Sequence, residues 1–177
     1  MSSFESPIPK RLVASTMKTP IGPLTLVASP VGLAAVLWAN DQPDRVRLRV
    51  DAQDGAHPVI VESLRQLSEY FAGQRRTFTL ALDVSGTAFQ NQVWSALRTI
   101  PFGETRSYGE IARQIGHPTA VRAVGAANGR NPVSIVTPCH RVIGATGALT
   151  GFAGGLDVKA QLLAFERRSV MRFPVES

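Results

Sequence analysis

Cys139 and His140 are adjacent in Thr137-Pro138-Cys139-His140-Arg141-Val142. A thiol beside an imidazole is a pair that can do nucleophilic chemistry, because the ring can take the proton that a weak nucleophile must lose. A lone buried cysteine is more often an inert small apolar residue. Pro138, which fixes the backbone before the sulfur, and His140 together favour the nucleophile. One geometric objection stands against it. Val133-Ser134-Ile135-Val136 reads as a short apolar strand running into the motif. Neighbouring strand residues point to opposite faces, so His140 reaches the sulfur only through a water or across a break in the strand. Glu166 lies near the end of a helical stretch. A helix-borne carboxylate is normally solvated; the sharper reading makes it the partner of His140. From Val142 to Leu156 the chain is uncharged and holds Gly144, Gly147, Gly151, Gly154 and Gly155. Such a segment can wrap a flat uncharged ligand. The alternative is a plain surface loop, although surface loops usually carry charge.

These residues need a frame. Leu12–Lys18, Leu24–Ala28 and Leu33–Trp38 are apolar or β-branched runs separated by Pro/Gly turns, and read as strands. Residues 41–57 are polar and suggest a loop or a short exposed element. Pro58–Phe71 repeats Ile60, Leu64, Leu67 and Phe71 at helical spacing, with Gly73 beyond the end. Thr77–Asp83 alternates Phe78, Leu80 and Leu82, the period of a strand. After Asp83-Val84-Ser85-Gly86 the pattern turns helical, which divides the chain into domains 1–85 and 86–177. Thr87-Ala88-Phe89-Gln90 and Ser107-Tyr108-Gly109-Glu110 are capping boxes. The second opens a helix to about Ile115; Gly116-His117-Pro118 turns, and Thr119 is placed to cap a further helix over Ala120–Asn128. Two short helices about a glycine turn form a helix-turn-helix pattern. On the second, Val121 and Val124 are expected to face the core, while Arg122, Gly125, Ala126 and Gly129 share another face. That face carries one long cation among residues with almost no side chain, so a partner could approach the helix axis closely. The alternative is an Ala-rich helix packed inside the protein. Asp157 is placed to cap a last helix, with Val158, Leu162 and Phe165 inward.

The composition bounds the function. With 44% hydrophobic and 18% charged residues the 177-residue chain is globular rather than disordered. One cysteine excludes an internal disulfide and a four-cysteine zinc site, and fits a reducing, cytoplasmic setting. Met1–Arg11 has no apolar stretch of the kind a secretory signal needs. Thr19–Asn40 is uncharged and long enough to span a bilayer, but Pro20, Gly22, Pro23, Pro30 and Gly32 make it strands and turns instead. The net charge of +6 is uneven: nine basic and eight acidic residues over 1–85, ten and five over 86–177. Sixteen of the 19 basic residues are arginine. A basic, Arg-rich half favours a polyanionic partner; charge kept for solubility is the bland alternative.

Pro138-Cys139-His140-Arg141-Val142, with Asn131-Pro132 and Arg122-Ala123-Val124-Gly125 before it, resembles the O6-alkylguanine-DNA alkyltransferases. The resemblance is specific over residues 87–166, where Phe89-Gln90, Val93-Trp94, Ile100-Pro101-Phe102-Gly103 and Ser107-Tyr108-Gly109-Glu110 belong to it. It is looser over 12–86, resting on Thr19-Pro20-Ile21-Gly22-Pro23-Leu24 and Tyr70-Phe71-Ala72-Gly73. It implies an α+β protein: an N-terminal ribonuclease-H-like domain followed by a winged-helix-like domain with the helix-turn-helix. Cys139 would accept the alkyl group, His140 would take its proton through a water, Glu166 would polarise His140, and Asn131 would hold the turn that shapes the site. Tyr108 would hydrogen-bond the flipped guanine, and backbone groups of Cys139, Val142 and the Phe152-Ala153-Gly154 stretch would read the base edge. Arg122 would enter the duplex from a helix face formed by Ala123, Gly125, Ala126 and Gly129. A thioether cannot be reopened by a reductant, and no second cysteine is present, so each molecule acts once.

The expected partner is double-stranded DNA carrying O6-alkylguanine, met in the cytoplasm and at the nucleoid by a chain that is monomeric when free. Cooperative binding along DNA is left open, and no membrane is involved. No cofactor is expected, and no metal, because the zinc residues of some eukaryotic relatives are not evident. Phe152 stands where many members have Tyr, Ala153 where some have a hydroxyl residue, and Phe165 where His is common. Two other readings compete. A DNA-binding lesion sensor or regulator without chemistry explains the charge but not the Cys139, His140 and Glu166 set. A cysteine hydrolase explains the pair but requires an oxyanion hole.

Overall fold

The computed structural model describes residues 10–174. Most of the N-terminal stretch Met1–Arg11 and the last three residues of the C-terminal tail lie outside them.

Apolar runs punctuated by turns build a four-stranded sheet. Strands β1 (Val13–Met17), β2 (Leu24–Ala28) and β3 (Leu33–Trp38) pair antiparallel, and β4 (Ala52–Gln53) joins β1 in parallel, giving the order β3-β2-β1-β4. The 41–57 segment thus holds the short element that its polar sequence allowed. Helix α1 (Pro58–Phe71) buries Ile60, Leu67 and Tyr70 against this sheet. Its first turn is capped by His57, whose Nδ1 accepts from the Val59 N–H. Thr77–Asp83 is not a ladder strand. Phe78, Leu80 and Leu82 do alternate inward, but only Leu82 bridges Leu33. The segment is extended chain, tied to β3 by the Leu33 N–H to Ala81 and the Asp83 N–H to Leu33.

The second half is mainly helical. Helix α2 (Ala88–Leu97) and helix α3 (Tyr108–Gln114) each begin with a complete capping box, Thr87 with Gln90 and Ser107 with Glu110. The two-residue strand β5 (Arg106–Ser107) pairs in parallel with β6 (Val142–Ile143). Helix α4 (Val121–Gly129) follows the Gly116 turn and completes a helix-turn-helix with α3. Two expected caps are absent. Thr119 lies inside the turn closed by the Ala120 N–H and His117 carbonyl, one residue too early; Ala120 takes the cap position with no side-chain bond. Helix α5 (Leu156–Arg172) starts after Gly155 at φ 95°, and Asp157 falls in its first turn. There its carboxylate meets the positive end of the helix rather than capping it.

The two halves share a core. Phe102, Val133, Ile135 and Leu162 pack with the sheet residues Leu24, Leu26, Leu33 and Val36. Val133 bridges Val36 on the outer edge of β3, and the Val36 N–H donates to the Pro132 carbonyl at 2.8 Å. No helix among the described residues is long and apolar enough to cross a membrane.

Candidate active site

The expected strand before Cys139 is instead a tight turn. Ser134 bridges Thr137, and Ile135 sits at φ 75°, a conformation β-branched residues adopt rarely. Asn131 holds this turn from inside. Its amide donates to the Thr137 carbonyl at 2.8 Å, and its Oδ1 accepts from the Val133 N–H at 3.1 Å. Cys139–Arg141 then forms one turn of 3-10 helix. The strand is therefore broken at the motif, so the opposed-face objection to a Cys139–His140 partnership does not apply.

All three residues of that turn are buried. His140 Nε2 donates to Glu166 Oε1 at 2.7 Å, which leaves its Nδ1 as a buried acceptor with no partner among the described residues. Glu166, also fully buried, is the hub. Its Oε1 further accepts from the Tyr70 hydroxyl (2.8 Å) and Arg141 Nη2 (2.9 Å), and its Oε2 from Arg141 Nε (2.9 Å) and the Gly103 N–H (3.1 Å). Burial pushes the Glu166 carboxyl up, but its bonds to His140 and Arg141 outweigh it and hold it far below the usual carboxylate range. Burial keeps His140 neutral, below its ordinary range, against the pull of Glu166. The Cys139 thiol is raised by burial, while the Asn131 amide, the charges of Arg45 and Lys159 and the Ser134 hydroxyl pull the other way. A protonated thiol beside a neutral imidazole anchored on a carboxylate is an arrangement in which the proton must move as the sulfur attacks.

The 144–155 loop closes the other side. A Cβ on Gly154 would lie 2.8 Å from the Trp38 indole, so only glycine lets the loop lie flat on that ring. Phe152 meets Trp38 edge-on at 5.4 Å between ring centroids, and the Trp38 Nε1–H donates to Ser134 at 3.1 Å. Val142, Ala153 and Phe152 are thus near the turn that carries Cys139, Val142 being fully buried. Tyr108, at the start of α3, shares a 2.8 Å hydroxyl bond with Thr150 in this loop.

Helix α4 turns Arg122, Ala123, Ala126 and Gly129 outward, while Val124, Ala127 and Asn128 are buried. Gly125 is half-buried against the Tyr108 ring. Val121 faces solvent rather than the core; the helix begins there, so its first residue points past α2 and α3 instead of between them. The helix is tied down by the Trp94 Nε1–H, which donates to the Ala127 carbonyl at 2.8 Å.

Residues 88–168 match the family model described as "6-O-methylguanine DNA methyltransferase, DNA binding domain", and residues 12–84 that described as "6-O-methylguanine DNA methyltransferase, ribonuclease-like domain". The chain belongs to the 6-O-methylguanine DNA methyltransferase family. It is 52% identical over 153 residues to the methylated-DNA–protein-cysteine methyltransferase of Mycolicibacterium paratuberculosis, spanning 86% of this chain and 91% of that one. It is 49% identical to that of Methanosarcina acetivorans, over 84% and 94% of the two chains. The crystal structure of Mycobacterium tuberculosis OGT in complex with DNA superposes with a TM-score of 0.81 at 47% identity, over 90% of this chain and 94% of that one. The α+β fold, with a ribonuclease-like domain first and a DNA-binding domain second, is that of the methyltransferase family.

Four polar residues at this site escape a sequence reading. Arg45 pairs with Asp41 and donates to the carbonyls of Asn131 and Val36, tying the Cys139 turn to β3. Tyr70 and Arg141 complete the Glu166 hub, and Lys159 is fully buried beside the loop. Arg141 lies inside the quoted motif, the one signal that could have found it. No group of three or more His, Cys, Asp or Glu side chains able to hold a metal occurs among the described residues.

Proposed function

We propose that this protein repairs O6-alkylguanine in double-stranded DNA by moving the alkyl group, once and irreversibly, onto the sulfur of Cys139. The observation that carries the reading is the buried His140–Glu166 pair, with its free Nδ1, directly after the chain's single cysteine in a DNA-binding domain. Through one water, His140 Nδ1 takes the thiol proton while Glu166 stabilises the imidazolium. The sulfur attacks the alkyl carbon; the C–S bond forms as the C–O6 bond breaks, and the electron pair leaves on the guanine. Tyr108 hydrogen-bonds the ring as that charge develops, and the relayed proton restores neutral guanine. Asn131 keeps the turn in place. The Val142 backbone and that of Phe152, Ala153 and Gly154 face the base edge.

The target carbon lies within the base stack, so the nucleotide leaves it, a step made easier because an alkylated guanine pairs poorly. Arg122 fills the space, and the small residues Ala123, Gly125, Ala126 and Gly129 let α4 approach the minor groove. The chain divides functionally near residue 85, between the two matched family segments. Its place is the cytoplasm, on nucleoid DNA.

The decisive test is the intact mass of the protein after mixing with excess duplex containing one O6-methylguanine. A gain of one methylene, mapped to Cys139 and saturating at one per molecule, is expected. No gain in a folded protein that binds the duplex would favour a lesion sensor instead.

A second expectation concerns Arg122. Arg122→Ala slows transfer from duplex DNA about 10- to 100-fold, in line with a flipping cost of a few kcal/mol, and leaves transfer from free O6-methylguanine base unchanged. Equal losses on the two substrates would remove the intercalating role.

A further inference from the structure

Trp38, the last residue of β3, stands against both walls of a site whose acceptor comes from the other half of the chain. On one side its Nε1–H donates to the Ser134 hydroxyl at 3.1 Å, and Ser134 is fully buried in the turn that delivers Cys139. That hydroxyl is near enough to the sulfur to act on the thiol. On the other side lies the 152–154 stretch. Phe152 meets the indole edge-on at 5.4 Å, and a Cβ on Gly154 would stand 2.8 Å from the ring. Phe152 packs both on the cluster that holds Trp38 and on the one that holds Cys139. The indole is almost wholly buried and is not free to swing. The Trp38 N–H donates to Asp41 at 3.1 Å, Asp41 holds Arg45, and Arg45 donates to the Asn131 carbonyl in the segment that leads to Cys139. A ring fixed at its root, at its N–H and along its face sets the separation of the groups it touches.

We propose that Trp38 determines how large an alkyl group Cys139 accepts: its indole holds the Ser134 turn and the 152–154 stretch at a fixed separation and closes the end of the slot between them. The proposal rests on Cys139 being the acceptor and on that stretch facing the base. The alkyl carbon must reach the sulfur while the guanine lies against the loop, so the rest of the group occupies the space between Ser134 and Phe152. A methyl group ends at the carbon that is attacked and needs none of that space. A benzyl group carries a ring beyond it, and that ring meets an indole that yields only by losing its bond to Ser134 and its contact with Gly154. Close-packed surroundings of this kind do not stretch without cost. The displacement is the same for both groups: the C–S bond forms, the C–O6 bond breaks and the electron pair leaves on the guanine. A wider slot therefore speeds transfer of the larger group and leaves that of the smaller one nearly unchanged.

The test uses the full chain and two free bases, O6-methylguanine and O6-benzylguanine, which need no flipping; intact mass gives the rate at which Cys139 takes each group. Trp38→Leu is expected to raise the benzyl-to-methyl rate ratio at least about tenfold. Trp38→Phe should raise it less, since it shortens the ring and deletes the Nε1–H but keeps an aromatic face for Phe152. A role confined to packing lowers both rates together, so a ratio that stays within about twofold of the parent in a folded variant overturns the proposal. If neither variant folds, the unaltered chain decides. Benzyl bromide and methyl iodide place the two groups on Cys139 without a base. The Trp38 indole N–H resonance must move on benzylation by more than on methylation, and equal or absent shifts overturn the proposal. A parent protein that takes neither group from the bases contradicts the acceptor reading. The rate ratio for benzyl bromide against methyl iodide at Cys139 then reads the slot by itself, with the same two outcomes for Trp38→Leu.

Discussion

Cys139→Ala is expected to reduce methyl uptake from O6-methylguanine duplex by at least about 10⁴-fold, because the bond-forming atom is gone. Affinity for the same duplex should stay within about threefold of the parent, since the exposed residues of α4 are untouched. The sulfur is nearly inaccessible, and alanine keeps the 3-10 turn, so folding should survive at a cost of about 1 kcal/mol. Intact-mass spectrometry reads the first effect and fluorescence anisotropy the second. Methyl uptake at another residue would contradict the assignment of Cys139. Loss of duplex affinity together with uptake would mean that the sulfur helps to bind the lesion as well as to accept its methyl group.

Glu166→Gln should be the most destabilising conservative change in the molecule. Five hydrogen bonds converge on that carboxylate, from Tyr70, His140, Gly103 and two nitrogens of Arg141. An amide cannot accept all of them, and the Arg141 guanidinium, almost fully buried, loses its counter-charge. Breaking a buried pair from one side costs about 3–5 kcal/mol. In a chain of this length that lowers Tm by roughly 6–20 °C, readable by calorimetry. Adding Arg141→Met should recover part of the loss, which a defect unrelated to charge would not allow. The same hub makes stability depend on pH with a definite sign. His140 is held below its ordinary value of 6.5, so the unfolded chain binds the extra proton first and stability declines as pH falls below that value. Glu166 titrates near 4.5 when unfolded and much lower when folded; its contribution is complete above 4.5 and drains away below it. Urea titrations at successively lower pH should therefore show two declines, and the lower one should shrink in Glu166→Gln, the remainder coming from Glu62, Glu69, Asp83 and Glu110, whose carboxyls are also held low.

Features legible in the chain are those settled within a few residues. The two capping boxes, the helix Pro58–Phe71 and the strands β1 to β3 depend on local chemistry and short periods, and the folded protein has them. The mistakes also have local forms. Thr119 and Asp157 have the right side chains one or two residues from the cap position. Val133–Val136 has strand composition, but Asn131 bends it into a turn that composition does not reveal. What stayed hidden is the burial of charge. Tyr70 and Glu166 meet across 96 residues, and Arg45 and Asn131 across 86. Nothing in the neighbourhood of Arg45 or Lys159 distinguishes them from surface residues, because the carbonyls that justify their burial, those of Val36 and Asn131 for the first and of Val142 and Thr150 for the second, are brought to them only by the fold.

The contact between Val133 and Val36 has a consequence for how this protein can be divided. β3 is an edge strand whose sequence, Leu33–Trp38, is apolar along its length, and a naked edge of that kind invites pairing with another molecule. Here residues 81–83 pair with its first residue, Leu33, and the segment leading to Cys139 covers it from Val36 on, fastened by the Trp38 bond to Ser134 and the Arg45 bond to Asn131. Each half thus acts as the other's chaperone. The first would be sticky without its cover, and the second would have its acceptor turn unsupported. The two matched segments share one core, so a minimal alkyl acceptor cut at the linker is expected to lose the support of its turn.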